Sequence, residues 1–322
     1  MRPYAVSSAA FWRAYAITLR PYLLFVSGAS GLVGLALAPR LSWGALGAGV
    51  AAFFLSYGLG QALTDVSQID TDSISSPYRP LTQGVITGRQ VLLVSLAGLL
   101  LCAVVFVVLS PWTLALSALG VAGLATYTPL KRRWWGGPFW NSWIVALLPA
   151  IGFVCGASPR EALGSGPLAA AMASVFFTYA TFVLLGYLKD ISADRQTGYD
   201  TMPVRFGWVA SVALSLACAT LGLAASAWLL GALPFSWRTP QGAGVGVLWG
   251  TGAVLLVGGH LAMLRTRDET RAHGPIGIGL RGYVALHLAE AAAARVELVV
   301  PSLAYYALFE WALAARPERT QV

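Results

Sequence analysis

Long apolar stretches separated by short polar segments run along the whole chain. Nine of them approach the roughly 20 residues that a helix needs to cross the hydrocarbon core of a bilayer. The runs are continuously apolar rather than alternating, which favours helices over the strands of a membrane barrel. The pattern predicts an all-α, polytopic membrane protein with nine transmembrane helices. Their approximate cores are residues 18–38, 43–63, 90–109, 111–128, 138–157, 168–188, 208–232, 243–264 and 296–314.

One further stretch, residues 275–293, is amphipathic only in part, and we expect it to form an interfacial or half-buried helix. The predicted spans leave no room for a soluble domain of useful size between them. Residues 1–322 are therefore predicted to form a single membrane-embedded domain.

Composition strengthens this interpretation. Hydrophobic residues make up 57% of the chain and charged residues only 11%, whereas a soluble domain carries about 25% charged residues. The net charge of +8 would suggest nucleic acid in a soluble protein. Here the basic residues fall mostly in the loops between apolar stretches, so membrane lipid explains them better and no nucleic-acid partner is expected. Cys102, Cys155 and Cys218 lie in three different apolar segments and lack metal-binding spacing, which predicts small buried side chains.

The basic residues also predict an orientation. With the N-terminus in the cytoplasm, sixteen Lys and Arg residues, including Arg2 and Arg295, fall on the cytoplasmic side of nine spans. Five, including Arg316 and Arg319, fall on the other side. This bias predicts a cytoplasmic N-terminus, cytoplasmic loops around the acidic residues and a C-terminus on the opposite side.

Acidic residues are scarce, and six of the 13 gather in two short segments. Both segments follow an apolar stretch on the side assigned to the cytoplasm. Ionisable groups so close to a membrane core are costly, and they are functional candidates for that reason. The first group is Asp65, Asp70 and Asp72, and the second is Asp190, Asp194 and Asp200.

Spacing places some of these carboxylates together. On a regular helix Asp65 and Asp72 differ by only ~20°, Gln68 lies within ~60° of both, and Asp70 points elsewhere. Asp190 and Asp194 are four residues apart and share a helical face.

Paired carboxylates repel one another unless a cation lies between them. Mg²⁺ prefers oxygen ligands and is commonly shared with the phosphates of a substrate, and it can neutralise a departing diphosphate. The alternative is a solvated loop in which aspartates pair with nearby arginines. We predict metal ligation and catalysis by Asp65, Asp72, Asp190 and Asp194, and substrate binding by Gln68, Asp70, Arg79, Lys131, Lys189 and Asn141.

These residues resemble the signatures of the UbiA superfamily of intramembrane prenyltransferases. The first signature, Asn-Asp-x-x-Asp-x-x-x-Asp followed by Arg-Pro and Gly, is similar to residues 64–72, Arg79-Pro80 and Gly84. The second, Asp-x-x-x-Asp-x-x-x-Gly-x-x-Thr-Leu-Pro-Val, resembles residues 190–204, where only Met202 departs from it. Residues 127–132 are similar to the Tyr-x-x-x-Lys-Arg loop of the family, and residues 19–21 to its Arg-Pro entry into the first helix.

The first signature departs from the family pattern at two positions. Thr64 replaces the asparagine and Gln68 replaces the middle aspartate. Asp65 and Asp72 therefore carry over directly, Gln68 carries over as a neutral oxygen donor, and Asp70 is a further acid that substitutes only if the helix unwinds. The departure leaves the number of Mg²⁺ ions open.

The resemblance implies a nine-helix bundle around a central cavity. A prenyl diphosphate would lie under the cytoplasmic loops, and its tail in an apolar tunnel open to lipid. The implied reaction is Mg²⁺-assisted transfer of the prenyl group to a lipophilic, aromatic acceptor. Aromatic rings suit an allylic cation, although helix packing explains most of them equally well. The candidates are Phe177, Tyr179, Tyr187, Tyr305 and Tyr306.

Two other functions remain open at this point. Some members of the superfamily are terpene cyclases, which use the same substrates without an acceptor. A secondary transporter is the rival from another class, but such proteins tend to bind near the midplane and to contain an internal repeat. The acids here lie at one membrane face. His260 and His287 are expected to form hydrogen bonds between helices rather than to catalyse.

Overall fold

The computed structural model describes residues 3–318, apart from the side chain of Thr128. This part of the chain is almost wholly helical, which confirms the predicted all-α class. Its fourteen α-helices are α1 (Ala9–Leu19), α2 (Leu24–Leu37), α3 (Trp43–Val66), α4 (Ile69–Ser75), α5 (Gly88–Leu109), α6 (Thr113–Lys131), α7 (Asn141–Val154), α8 (Pro159–Gly164), α9 (Gly166–Gly186), α10 (Ile191–Gln196), α11 (Met202–Ala232), α12 (Pro240–Thr266), α13 (His273–Ala294) and α14 (Val299–Ala314).

Every predicted span coincides with helix, and the chain is a multi-pass integral membrane protein. Among the described residues, seven helical segments are long and apolar enough to cross a bilayer alone. The first predicted span is instead a pair of helices, Ala9–Leu19 and Pro21–Leu37, which meet at 47°. The fourth is a shorter apolar helix, Thr113–Tyr127. The predicted count of nine is therefore not confirmed. The seven segments are Trp43–Val66, Gly88–Leu109, Gly136–Val154, Gly166–Lys189, Met202–Ala232, Pro240–Thr266 and Val296–Ala314.

Helix α13 corrects the expectation for residues 275–293. The helix is neither interfacial nor half-buried, because nearly all its side chains lie inside the bundle against α2, α9 and α12. Its glycines allow this close packing. A Cβ atom on Gly282 would lie 2.7 Å from the backbone nitrogen of Leu256. The polar residues that made the sequence look amphipathic find partners within the bundle instead of water.

The last two helices cross the bundle in opposite directions. Tyr283 shares a hydrogen bond of 2.6 Å with Ser30 in the middle of α2. Further along, Arg295 donates to the carbonyl of Ala38, just after α2 ends. Helix α13 is thus parallel to α2. Helix α14 returns, because the hydroxyl of Tyr305 donates to the carbonyl of Phe25 near the start of α2.

This return pass changes the predicted topology. Helix α14 ends at the same end of the bundle as the start of α2, not at the opposite end. The prediction was wrong because it did not count α13 as a pass. Arg295 consequently lies at the end away from the start of α2. Arg2 and Arg319, which entered the charge count, lie outside the described residues.

A short strand pair brings two polar loops together. The two-residue strand β1 (Arg133–Trp134) pairs in parallel with β2 (Asp200–Thr201). This pairing joins the loop after α6 to the second acidic segment.

Helix α11 is kinked at Gly207, where φ is 81°. The part of the helix after the kink therefore begins at the predicted start of the span.

Candidate active site

The first acidic segment surrounds a break between α3 and α4. Helix α3 ends at Val66, and Gln68 has non-helical dihedral angles (φ −123°, ψ 19°). The regular helix assumed from the sequence is therefore interrupted. Asp65 and Asp72 nevertheless meet around Arg79, whose Nη1 lies 2.5 Å from Asp72 Oδ2 and 3.8 Å from Asp65 Oδ1. The predicted pairing of the two carboxylates is present, but a cation already lies between them.

Arg20 is a site residue that the sequence analysis did not select. It lies between α1 and Pro21 in the left-handed region, with φ 51°, a conformation that costs about 1–2 kcal/mol in a residue with a Cβ. Its Nη2 contacts both oxygens of Asp65, at 2.9 and 2.7 Å, and the pair is buried. The available signal was the Arg-Pro pair before the first span.

Gln68 and Asp70 turn in opposite directions. Lys131 Nζ donates to Gln68 Oε1 at 2.5 Å, so Gln68 faces the site as an oxygen donor. Asp70 instead lies on the outer surface, where its Oδ2 is 3.3 Å from Arg132. The unwinding of the helix does not bring Asp70 into the group.

The second acidic segment follows α9. Lys189 Nζ lies 3.0 Å from both oxygens of Asp190. Asp194 is 1% exposed, and its Oδ2 accepts a hydrogen bond of 3.0 Å from Thr201. Its Oδ1 is buried and has no hydrogen-bond partner. Asp200 turns outward to Arg205.

The two acidic segments converge at one end of the bundle. Thr71 in α4 and Thr197 beside α10 share a hydrogen bond of 3.2 Å. Burial raises the pKa of Asp194 to about 7. Burial also acts to raise the pKa of Asp190, but the charges of Lys189 and Lys131 outweigh it and lower that pKa. Lys131 therefore lies between the segments, because it bonds to Gln68 in the first and its ammonium is 5.5 Å from the ring centroid of Tyr199 in the second.

Gly198 shapes the second segment. Its φ is 75°, and the following residue, Tyr199, donates its backbone N–H to the carbonyl of Asp194 at 2.8 Å. Gly198→Ala should destabilise the fold by about 1–2 kcal/mol, because an L-residue resists this conformation. A Cβ atom there meets nothing within 4 Å, so the effect is conformational.

The matched control for Gly198→Ala is Gly186→Ala. Gly186 also has open space around its missing Cβ, but it lies within helix α9. The control should be neutral or slightly stabilising. Denaturant titrations of both purified variants in mixed micelles measure the difference. Equal stabilities would contradict the role assigned to the φ angle of Gly198.

An apolar cavity of about 210 Å³ lies between α3, α5, α6, α7 and α9. Gln61, one turn before Asp65, and Thr64, the residue directly before it, line the cavity. Asn141 also lines it and donates to the hydroxyl of Tyr179 at 3.4 Å. That hydroxyl shares a hydrogen bond of 2.9 Å with Tyr57. The apolar wall includes Phe53, Leu99, Phe106, Leu124, Leu147 and Ile151.

Of the aromatic candidates, only Tyr179 lines this cavity. Tyr187 lies beneath Lys131, with the ammonium 5.8 Å from the ring centroid. Tyr305 packs between α14 and α2. His260 bonds to Ser215 and His287 to Thr178, so both form the predicted contacts between helices. All three cysteines are buried and free, as expected.

The donor set fits Mg²⁺ only in part. Within residues 3–318, no three His, Cys, Asp or Glu side chains already form a cluster that could hold a metal ion. The unpartnered Oδ1 of Asp194 is an oxygen that a cation would satisfy, and Asp190 is the nearest second carboxylate in sequence. Ligation by all four aspartates remains a prediction.

Two acidic segments converge at one end of an apolar helical bundle that contains an apolar cavity. This combination defines an intramembrane enzyme that acts on a lipid-like substrate with an anionic group. The chain belongs to the UbiA prenyltransferase family, whose sequence profile matches residues 24–273. It is thus a membrane-bound prenyltransferase, which rules against the transporter.

Curated relatives agree with this assignment. The chain is 31% identical over 198 residues to the digeranylgeranylglyceryl phosphate synthase of Halobacterium salinarum, covering 60% of this chain and 68% of the relative. It is 32% identical over 196 residues to the enzyme of the same name from Natronomonas pharaonis, covering 59% and 67%.

Solved structures share the fold. A UbiA homologue from Aeropyrum pernix in its apo form matches with a TM-score of 0.72 at 20% identity, covering 83% of this chain and 96% of that one. A UbiA homologue from Archaeoglobus fulgidus, bound to GPP and Mg²⁺, matches with a TM-score of 0.61 at 17% identity, covering 87% and 99%.

Proposed function

We propose that this enzyme transfers a prenyl group from a prenyl diphosphate to the hydroxyl group of a lipophilic acceptor. The observation that carries the proposal is the position of Lys131. It bonds to the first acidic segment, approaches the second, and belongs to the helix that forms one wall of the apolar cavity. A diphosphate at this point would have cations around it, and its tail would have an apolar space to occupy.

The residues of the site suit a dissociative reaction. Arg20, Arg79 and Lys131 would bind the diphosphate oxygens through charge-assisted hydrogen bonds. Mg²⁺, when bound, would neutralise the charge that develops on the diphosphate as the C–O bond breaks. The ring of Tyr179 would face the allylic carbon, where it favours positive charge. A new C–O bond would form to the acceptor, and its proton would pass to the departing diphosphate.

The relatives favour a different acceptor from the one expected from sequence. The enzymes from Halobacterium salinarum and Natronomonas pharaonis are named for a prenylated glyceryl phosphate. We therefore propose a glyceryl phosphate lipid as acceptor in place of the aromatic compound. We also propose that the acidic segments face the cytoplasm, supported by the excess of basic residues among the predicted cytoplasmic loops.

Product analysis tests the reaction. Purified enzyme with Mg²⁺ and prenyl diphosphates of several lengths should release diphosphate only slowly until an acceptor is added. Mass spectrometry should then find the acceptor heavier by one prenyl group, with geranylgeranylglyceryl phosphate used better than an aromatic acid. A cyclic hydrocarbon or alcohol formed without acceptor would overturn the proposal in favour of a terpene cyclase.

A further inference from the structure

The two acidic segments differ in their balance of charge. In the first, the buried carboxylates are Asp65 and Asp72, and the cations that contact this segment are Arg20, Arg79 and Lys131. Arg20 and Arg79 balance these two carboxylates before any metal ion binds, and Lys131 lies between the two segments. In the second, among the described residues, the cation paired with a carboxylate is Lys189, which contacts Asp190, while Asp194 accepts from Thr201. Apart from Lys131, which the two segments share, the first segment is neutral and the second has one negative charge in excess.

Gln68 adds no negative charge to the first segment. It stands where the signature of the family has its middle aspartate, and its amide oxygen accepts from Lys131 at 2.5 Å. An aspartate there would give Lys131 a carboxylate partner in the first segment. The neutral amide gives it none, and it offers a metal ion a weaker ligand whose oxygen is already engaged.

Three of the four carboxylate oxygens of the first segment accept hydrogen bonds from side chains, and in the second segment Lys189 holds both oxygens of Asp190 but not Asp194 Oδ1. Both oxygens of Asp65 accept from Arg20, and Oδ1 accepts in addition from Gln61 at 2.9 Å. Asp72 Oδ2 is held by Arg79 at 2.5 Å. A Mg²⁺ ion in this segment would have to displace guanidinium groups that are nearly inaccessible to water.

The two segments also differ in their unpartnered buried atoms, because an unpartnered carboxylate oxygen is found in the second segment and unpartnered guanidinium nitrogens in the first. Around the first segment they are donors: Arg20 Nε, Arg79 Nε and the Tyr78 hydroxyl. In the second segment they are the hydroxyls of Tyr187 and Tyr199 and one carboxylate oxygen, Asp194 Oδ1, on a side chain that is 1% exposed. Unsatisfied donors call for an anion, and an unsatisfied carboxylate oxygen calls for a cation.

We infer that this enzyme holds its divalent cation on the second acidic segment alone, through Asp190 and Asp194, and that the first segment binds the diphosphate directly through Arg20, Arg79 and Lys131. The inference rests on the proposed function for the identity of the anion. It distinguishes this chain from one with an aspartate at position 68, where a second cation would be needed.

The number of metal ions bound per chain tests these separate roles of the two segments without a measurement of enzymatic turnover. Equilibrium dialysis of the purified protein against Mn²⁺, in the presence of a slowly ionising geranyl thiodiphosphate, should give one Mn²⁺ per chain. Asp194→Asn should weaken that binding by at least tenfold. Asp65→Asn should leave the stoichiometry unchanged, and Gln68→Asp should add a second bound Mn²⁺. Electron paramagnetic resonance of the Gln68→Asp variant should show the coupling between two nearby ions.

Each result separates this inference from the proposed function. Two Mn²⁺ ions per chain in the unaltered protein, or none, would overturn the inference even if prenyl transfer is observed. One ion that depends on Asp65 and not on Asp194 would do the same. One ion that depends on Asp194 would support it, even in a protein found to form cyclic products. Size-exclusion profiles confirm that each variant is folded.

Discussion

Asp190→Ala and Asp72→Ala should each abolish measurable prenyl transfer, a loss of at least about 10³-fold, while the protein remains inserted in the membrane. The reasons differ between the segments. Without Asp190, a carboxylate is lost from the group that we expect to hold the cation. Without Asp72, Arg79 loses its closest counter-charge and would no longer be held towards the diphosphate. Diphosphate release in the presence of acceptor measures both effects.

The matched control is Asp70→Ala. It removes a carboxylate from the same seven-residue helix as Asp72, but Asp70 lies on the outer surface beside Arg132. An exposed ion pair of this kind contributes little, so turnover should stay within about twofold. Normal turnover in both the Asp190 and Asp72 variants would remove the proposed roles of the two segments. Membrane extraction and gel filtration establish that the inactive variants are folded.

Much of the site could be predicted because its chemistry is local in sequence. Asp190 and Asp194 share one helical turn, and Lys131 ends an apolar helix next to a predicted polar loop. The convergence of the two segments depended on the resemblance and on their common membrane face. Hydrophobic periodicity does not encode which helices are neighbours, so the hydrogen bond between Thr71 and Thr197 was not predictable from it.

Two sequence-based expectations, those for Arg20 and for residues 275–293, failed for physical reasons. Arg20 was missed because its partner Asp65 lies 45 residues further along the chain, and pattern analysis weighs neighbours in sequence. Residues 275–293 were misjudged because polar groups in an apolar stretch were taken to need water. In the bundle, His287 and Glu290 bond to each other and to α9. A buried helix can therefore carry polar residues if its neighbours satisfy them.

Glu290→Ala should cause the largest loss of stability, about 3–5 kcal/mol, because it breaks a fully buried polar network. Glu290 accepts from Ser174 at 2.6 Å and pairs with His287 at 2.7 Å, and His287 bonds to Thr178 at 2.9 Å. All four side chains are inaccessible to water. Alanine would leave the serine hydroxyl and an imidazole nitrogen without partners in the apolar interior, and it would leave a void where the side chain was.

Unfolding of the purified protein by SDS in mixed micelles, followed by circular dichroism, measures this loss. Glu290→Gln should lose less, because its amide oxygen can still accept from Ser174. Glu161→Gln is the exposed control, since Glu161 pairs with Arg40 at the surface and its replacement should change the unfolding midpoint little. A Glu290→Ala variant as stable as the Glu161 control would mean that water or a rearranged helix satisfies these groups. Because the network joins α9 to α13, its loss should weaken the packing of these two helices.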